Sequence, residues 1–358
     1  MYQLMFVDVF YALVCLLLVK MVTAAVESFT CALDENSLRQ NLERLGQLYD
    51  LQKIQNICFE KDDVIGYYDN TTELDYKVLQ LCSGTGLHSK LLFAKPVLSV
   101  ASTSAQAALV LKEIGHVRAK NVLEIGCGQG FCTAFLATLC PHVVFHGIDI
   151  VPKHIEIATK NKELGRLTNT KFSLCDATRF DNLASVSLDL IFSVEALCHL
   201  DTSKKRHDFL SHAYNRLCEH GRIVIIDGFR SFKFEQSSVD QQTAMRLAET
   251  GFRIRNMPAK KEWIDLARDL NFELIEDRDL TQEVMPFWEK GWRMACFVLQ
   301  FSFVLKYLKR FNFNIEETTG NFLSIATTAH AFRDRGTAEY GILILQKKKS
   351  IFPVPKID

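Results

Sequence analysis

Three closely spaced glycines form the most chemically suggestive stretch of this sequence. In Val122-Leu-Glu-Ile-Gly126-Cys-Gly128-Gln-Gly130 they follow a short apolar run and open a segment with helical patterning. A side chain at any of the three would keep a ligand from the backbone, and the turn calls for dihedrals that glycine adopts freely. Alone, Gly-x-Gly-x-Gly is a weak motif. Dinucleotide loops of the Gly-x-Gly-x-x-Gly form seat a pyrophosphate on a helix N-terminus. Here the third glycine comes one residue early, and an acid, Glu124, precedes the loop. Three further sites end apolar runs: Gly147-Ile148-Asp149-Ile150, Leu174-Cys175-Asp176-Ala177, and Ser193-Val194-Glu195-Ala196-Leu197-Cys198-His199. A carboxylate at Asp149 can accept both ribose hydroxyls of an adenosine. An Asp followed by a small residue, as at Asp176-Ala177, suits an adenine amino group.

These residues need a scaffold that brings strand ends together. From residue 121 the pattern alternates: strand 121–125, helix 131–140, strand 143–148, helix 154–164, then apolar runs at 172–174, 188–192 and 222–226. A helix at 262–270, a strand at 272–275 and a last strand at 339–346 complete it. Continuous apolar strands alternating with helices predict an α/β fold, a doubly wound, mostly parallel sheet of seven strands covered on both faces. Open sheets of this kind bind ligands at the carboxyl ends of their strands, where all the named acids fall. Before the sheet, residues 34–58 read as a helix with Leu38, Leu42, Leu45, Leu48 and Leu51 on one face. Asp34 is its expected N-cap and Ser37-x-x-Gln40 its expected capping box. A second helical stretch is expected from Gly66, a Gly-rich loop at 82–89, and another helix at 99–117.

Glu124-Ile-Gly126-Cys127-Gly128-Gln-Gly130, then Asp149, then Asp176-Ala177, resembles a class I S-adenosylmethionine-dependent methyltransferase over roughly residues 100–280 and the last strand. The resemblance implies a Rossmann-like fold and S-adenosyl-L-methionine as cofactor. It places Gly126, Gly128 and Gly130 against the methionine part, Asp149 at the ribose and Asp176 with Ala177 at the adenine, and it counts Glu124, Cys127, Ile150 and Tyr68 among the cofactor-binding residues. Glu195-Ala-Leu-Cys198-His199 is similar to the Glu-Ala-x-Cys-His stretch of sterol and tocopherol-type small-molecule methyltransferases. Tyr67-Tyr68-Asp69 and Gly86-x-His88 resemble that group too, whereas residues 87–93 lack its usual His-x-Gly-Tyr/Trp-type ending.

Methyl transfer is an in-line displacement on a sulfonium carbon, so alignment matters more than activation. A base is needed only when the nucleophile loses a proton. His199 and Glu195 are the candidate catalytic residues; each has an alternative role, His199 orienting the loop and Glu195 capping backbone. Asp149 could instead cap a helix, and Asp176 could be a turn residue. Tyr67 and Tyr68 could shield a sulfonium with their ring faces or pack as an ordinary aromatic pair. His88 fits a structural loop.

The chain has 358 residues, 42 Lys+Arg and 42 Asp+Glu. Zero net charge leaves no electrostatic footprint for nucleic acid, so no such partner is expected. The chain also lacks the Asn/Asp-Pro-Pro-Tyr/Phe motif often carried by amino-methylating nucleic-acid enzymes. Its eleven cysteines are irregularly spaced with no Cys-x-x-Cys, which argues against a disulfide framework or a metal site. Of 26 Phe, eight lie in 287–332, within a helical insertion at 283–337 that would form a substrate lid. There Phe297, Phe301, Val304 and Leu308 share one helix face, and an apolar surface nearly all round predicts burial, lipid contact or a greasy ligand. Lys306, Lys309 and Arg310 at its end could meet anionic headgroups or offset the helix dipole. Residues 9–19 form an uncharged run of eleven, too short to span a bilayer. It suits a signal-peptide core, an anchor or a docking helix, although residues 2–7 carry no basic side chain.

The resulting expectation has five parts: a leader or anchor at 1–29, an N-terminal helical lid at 30–118, a cofactor-binding domain at 119–282, the lid insertion at 283–337, and a last strand and tail at 338–358. The expected activity is methylation of a small, lipophilic acceptor on carbon, nitrogen or oxygen. The protein is expected to be membrane-associated or organelle-targeted through its N-terminus, with cytoplasmic residence as the alternative. A catalytically silent, membrane-associated binding protein is the competing reading. A nicotinamide-dependent oxidoreductase is disfavoured by the glycine spacing.

Overall fold

A computed structural model describes residues 28–70, 104–180, 186–302 and 315–349. The hydrophobic run 9–19, the Gly-rich loop 82–89 with His88, and Val304 through Arg310 lie outside the described residues. The sheet contains β1 (Asn121–Ile125), β2 (Val144–Asp149), β3 (Thr170–Leu174), β4 (Leu188–Val194), β5 (Leu217–Arg230), β6 (Phe272–Asp279) and β7 (Ala338–Lys347). Their spatial order is β3-β2-β1-β4-β5-β7-β6. All neighbouring pairs from β3 to β5 are parallel, while β7 runs antiparallel to both β5 and β6. This is the expected doubly wound, mostly parallel seven-stranded sheet.

Successive side chains of a strand point to opposite faces, and here both faces are dry. Along β5, Ile223 and Ile225 join one buried cluster and Val224 and Ile226 the other; β7 repeats this with Leu343 and Leu345 against Ile342 and Ile344. One face is covered by α4 (Ala105–Val117), α5 (Phe131–Leu139), α8 (Val239–Gly251), α10 (Thr281–Leu299) and α11 (Ile315–Phe332). The other is covered by α7 (Ser203–Arg216) and α9 (Lys260–Asp269). The remaining helices are α1 (Glu35–Leu48), α2 (Leu51–Gln55), α3 (Lys61–Asn70) and α6 (Pro152–Leu164).

Several local expectations shift. The helix expected over 34–58 is two helices, because Tyr49 is extended and the Asp50 carboxylate starts α2 by accepting from Lys53 N at 3.0 Å. Asp34 does cap α1, accepting from Ser37 N at 2.8 Å. The capping box does not form: Ser37 sits inside α1 and its hydroxyl donates to Asp34 at 2.8 Å. The helix expected from Gly66 begins at Lys61, with Asp62 and Asp63 favourably placed in its first turn.

Within the insertion, the described part of α10 buries its tryptophan side. Trp288, Trp292, Cys296 and Leu299 follow at three- and four-residue steps and are buried, whereas Phe301 is 47% exposed. Leu38, Leu42, Leu45 and Leu48 of α1 pack with Ala244 and Leu247 of α8, Ala295 and Leu299 of α10, and Leu323 and Ala326 of α11.

The expectation of membrane association or organelle targeting requires correction. Among the described residues, no helix is long and apolar enough to cross a membrane, and the run that suggested it is outside them.

Candidate functional site

The glycine loop leaves β1 with positive φ at Gly126 (67°), Gly128 (51°) and Gly130 (81°), the left-handed region that favours glycine. The three play different parts. A Cβ on Gly126 would lie 2.2 Å from Ala196 Cβ, and one on Gly130 would lie 2.8 Å from the Phe172 ring. Those two glycines let the loop pass against the sheet. A Cβ on Gly128 would meet nothing within 4 Å, so only Gly128 leaves the open cradle expected of all three.

Three carboxylates fix this loop and its surroundings. Glu124, 3% exposed, ties β1 to α5 by accepting from the backbone N–H and hydroxyl of Thr133. Burial raises its pKa to about 8, against the pull of the Thr133 hydrogen bonds. Its carboxyl is committed to holding the loop, although it borders the cavity described below. Asp149 at the end of β2 accepts from Gly128 N at 2.8 Å and Val151 N at 2.9 Å, with His154 Nδ1 at 3.4 Å. It is not the N-cap of α6, a position held by Val151. Asp176 accepts from the N–H and hydroxyl of Thr178, each at 2.8 Å, and pairs with Lys61 Nζ at 2.5 Å. Burial alone would raise its pKa, but Lys61 and Thr178 outweigh that and hold it below the usual range.

Above the strand ends lies a cavity of about 250 Å3. Its floor includes Gly126, Cys127, Gly128, Asp149 and Ile150, then Asp176 with Ala177 and Glu195 with His199. Phe59, Lys61, Val64 and Tyr68 close it from the α3 side. Gly130 does not line it. Tyr68 lies edge-on to His199, ring centroids 6.2 Å apart. Tyr67 lines neither cavity; it packs edge-on against Tyr68, ring centroids 4.9 Å apart, with the Arg253 guanidinium 5.2 Å from its own ring centroid, the ordinary aromatic pairing.

A second cavity, about 190 Å3, shares Tyr68, Glu195 and His199 with the first. Its walls are apolar: Met245, Phe252, Met257, Phe287, Trp288 and Phe332. Its polar groups converge on the shared side. Tyr340 Oη donates to Glu195 Oε1 at 2.7 Å, and Gln106 Nε2 donates to Tyr340 Oη at 3.3 Å. Glu195 itself has φ +51°, strained for a residue with a side chain. Asp227, 2% exposed, accepts from Cys198 N at 3.0 Å and Gly228 N at 2.8 Å. Burial, then the neighbouring Glu195, raises its pKa to about 7. Asp227 was missed in the sequence, yet Asp227-Gly228 follows the apolar run 222–226 just as the other acids follow theirs. Burial pushes His199 down to about 4 despite its hydrogen bond to the Arg253 backbone and the nearby Asp149 and Asp201, so the ring is neutral at pH 7. Its Nδ1 is buried with no hydrogen-bond partner.

Residues 116–282 match the family profile of a methyltransferase domain. The chain carries a class I methyltransferase domain, the S-adenosylmethionine-dependent kind. Similar solved structures agree on the fold. A cyclopropane synthase of Mycobacterium tuberculosis superposes with a TM-score of 0.63 at 15% identity, covering 82% of this chain and 100% of that one. A geranyl diphosphate C-methyltransferase of Streptomyces coelicolor, bound to Mg2+, geranyl diphosphate and S-adenosyl-L-homocysteine, gives 0.56 at 15% identity, covering 80% and 97%. A [4+2]-cyclase also shares the fold, at a TM-score of 0.56 and 14% identity over 82% and 98%. The fold therefore hosts more than one chemistry. A comparison with curated protein sequences returned no match.

The methyltransferase domain's residues fit the cofactor. Gly128 leaves room for a ligand beside its Cα, Asp149 and Asp176 present carboxylates along the same floor, and the cavity continues past Tyr68 to His199.

Proposed function

We propose that this protein transfers a methyl group from S-adenosylmethionine to a small, lipophilic acceptor held in the second cavity. The observation that carries this reading is the meeting of the two cavities at Tyr68, Glu195 and His199. Asp149 would hold the ribose, Asp176 with Ala177 the adenine, and the Gly128 backbone the methionine end. The bound cofactor supplies an already activated methyl.

The chain's own task is placement. The walls from α8, α10 and α11 exclude water and fix the acceptor against the shared wall. Aligning two reactants in this way is worth on the order of 7–11 kcal/mol in good intramolecular models. Neutral His199 can accept a proton where the acceptor has one to lose. Glu195, held by Tyr340, places negative charge where the acceptor meets the methyl. In this proposal residues 30–118 and 283–337 act as lids on the cofactor-binding part, 119–282. The Mycobacterium and Streptomyces enzymes, named for cyclopropane formation and geranyl diphosphate methylation, support an apolar acceptor as a class.

Calorimetry with S-adenosylhomocysteine should show saturable binding, and NADH should show none. A screen of lipophilic metabolites with labelled S-adenosylmethionine should then find an acceptor. Absence of heat with S-adenosylhomocysteine at high micromolar concentration would overturn the proposal. Unchanged turnover in His199→Ala would remove His199 as the base.

A further inference from the structure

The fold brings together two cysteines that the sequence keeps far apart. Cys31 Sγ lies 2.9 Å from Cys296 Sγ across 265 residues of chain. We propose that Cys31 and Cys296 form a reversible disulfide that fastens residues 28–34 onto α10.

Both sides of the pair are already held. Trp292 Nε1 donates to the Ala32 carbonyl at 3.4 Å, and the Phe29 ring packs edge-on against Phe297 at 5.7 Å. Cys296 Sγ also accepts from Asn41 Nδ2 at 2.9 Å, which anchors it to α1. A disulfide places its sulfurs about 2.05 Å apart, so bond formation asks for a movement of less than about 1 Å. Little chain entropy remains to be lost in the folded state.

The two thiols differ in access. Cys296 is 0% exposed, whereas Cys31 is partly exposed. Burial, followed by the adjacent Cys31, pushes the Cys296 thiol far above its usual range. Cys31 is therefore the thiol that meets an oxidant. With a low-molecular-weight disulfide, the Cys31 thiolate attacks one sulfur, forms a mixed disulfide and expels one thiolate. Cys296, giving its proton to water or to the leaving group, then attacks the Cys31 sulfur and expels the second. Two protein thiols are oxidised, and the small disulfide is reduced to two thiols.

The bond would reach the acceptor cavity through α10. Trp288, Trp292 and Cys296 lie at four-residue steps along one ridge, and Trp288 walls that cavity. The disulfide itself stands independently of the proposed methyl transfer.

The test uses the full chain, treated with glutathione disulfide, alkylated without reduction and mapped by mass spectrometry. The expected product links the Cys31 and Cys296 peptides, about 2 Da lighter than the two reduced peptides together. Cys296→Ser should leave glutathione on Cys31, and Cys31→Ser should leave Cys296 unmodified. Oxidation should raise Tm by about 5 °C in the wild type and not in Cys31→Ser. Free Cys31 and Cys296 after oxidation, with the fold intact by circular dichroism, would overturn the proposal. So would a link from Cys31 to any other cysteine.

Discussion

Gly128 and Gly130 stand two residues apart and both have positive φ, yet their substitutions should fail differently. Alanine at either costs about 1 kcal/mol for the left-handed backbone. At Gly130 the new methyl also meets Phe172 and Ala158, whereas at Gly128 it enters open space beside Asp149. Gly128→Ala should keep the fold and lower S-adenosylhomocysteine affinity at least about tenfold, an effect of about 1.4 kcal/mol. Gly130→Ala should lose most in stability. Calorimetry and urea unfolding on both variants would separate the two.

Glu124 makes a second residue-scale prediction. Its folded pKa is raised from 4.5 to about 8, so its contribution to stability is full below pH 4.5 and is lost as pH rises towards 8. Gln resembles the protonated carboxyl and can still accept from Thr133. Glu124→Gln should therefore fall less in Tm than the wild type between pH 5 and 8. Asp227, raised to about 7, leaves a remaining slope below pH 7. Parallel Tm profiles for the two proteins would show that Glu124 ionises normally.

At the scale of elements, α1 illustrates how packing outweighs local propensity. Its four leucines recur on one face, and each is buried against α8, α10 or α11. The same α8 and α10 wall the second cavity with Met245, Phe287 and Trp288. Leu45 is 0% exposed. Leu45→Ala removes a fully packed side chain and should cost about 2–5 kcal/mol in urea unfolding. A cost below about 1 kcal/mol would mean that α1 is not part of the cooperative fold. The same element shows where periodicity runs short: the leucine pattern continued through Leu51, but the Asp50 carboxylate captured the Lys53 amide and started a new helix.

At the scale of the whole molecule, the two cavities lie where strands of a parallel sheet end and helices from both ends of the chain close over them. A ligand that binds only this arrangement stabilises the whole fold. S-adenosylhomocysteine at 100 times its Kd should add about 2.7 kcal/mol. For a chain of this length that is a Tm rise of about 3–4 °C, measurable by calorimetry. No shift at saturation would indicate that the site is not coupled to global folding.

The sequence by itself determined the sheet, the glycine loop and the acids at its strand ends. These are local signals: apolar runs, glycines at fixed spacing, and polar residues where each run stops. Asp149, Asp176 and Glu195 are all found at one cavity for that reason. Only the tertiary structure decided the rest. It separated Gly128, which faces open space, from Gly126 and Gly130, which face side chains from distant segments. It brought Tyr340 to Glu195 across 145 residues and Cys31 to Cys296 across 265. It also chose which side of α10 is buried, because α1 and α11 cover the Trp292 side. Such pairings depend on which elements meet, and a periodicity within one element carries no information about its neighbour.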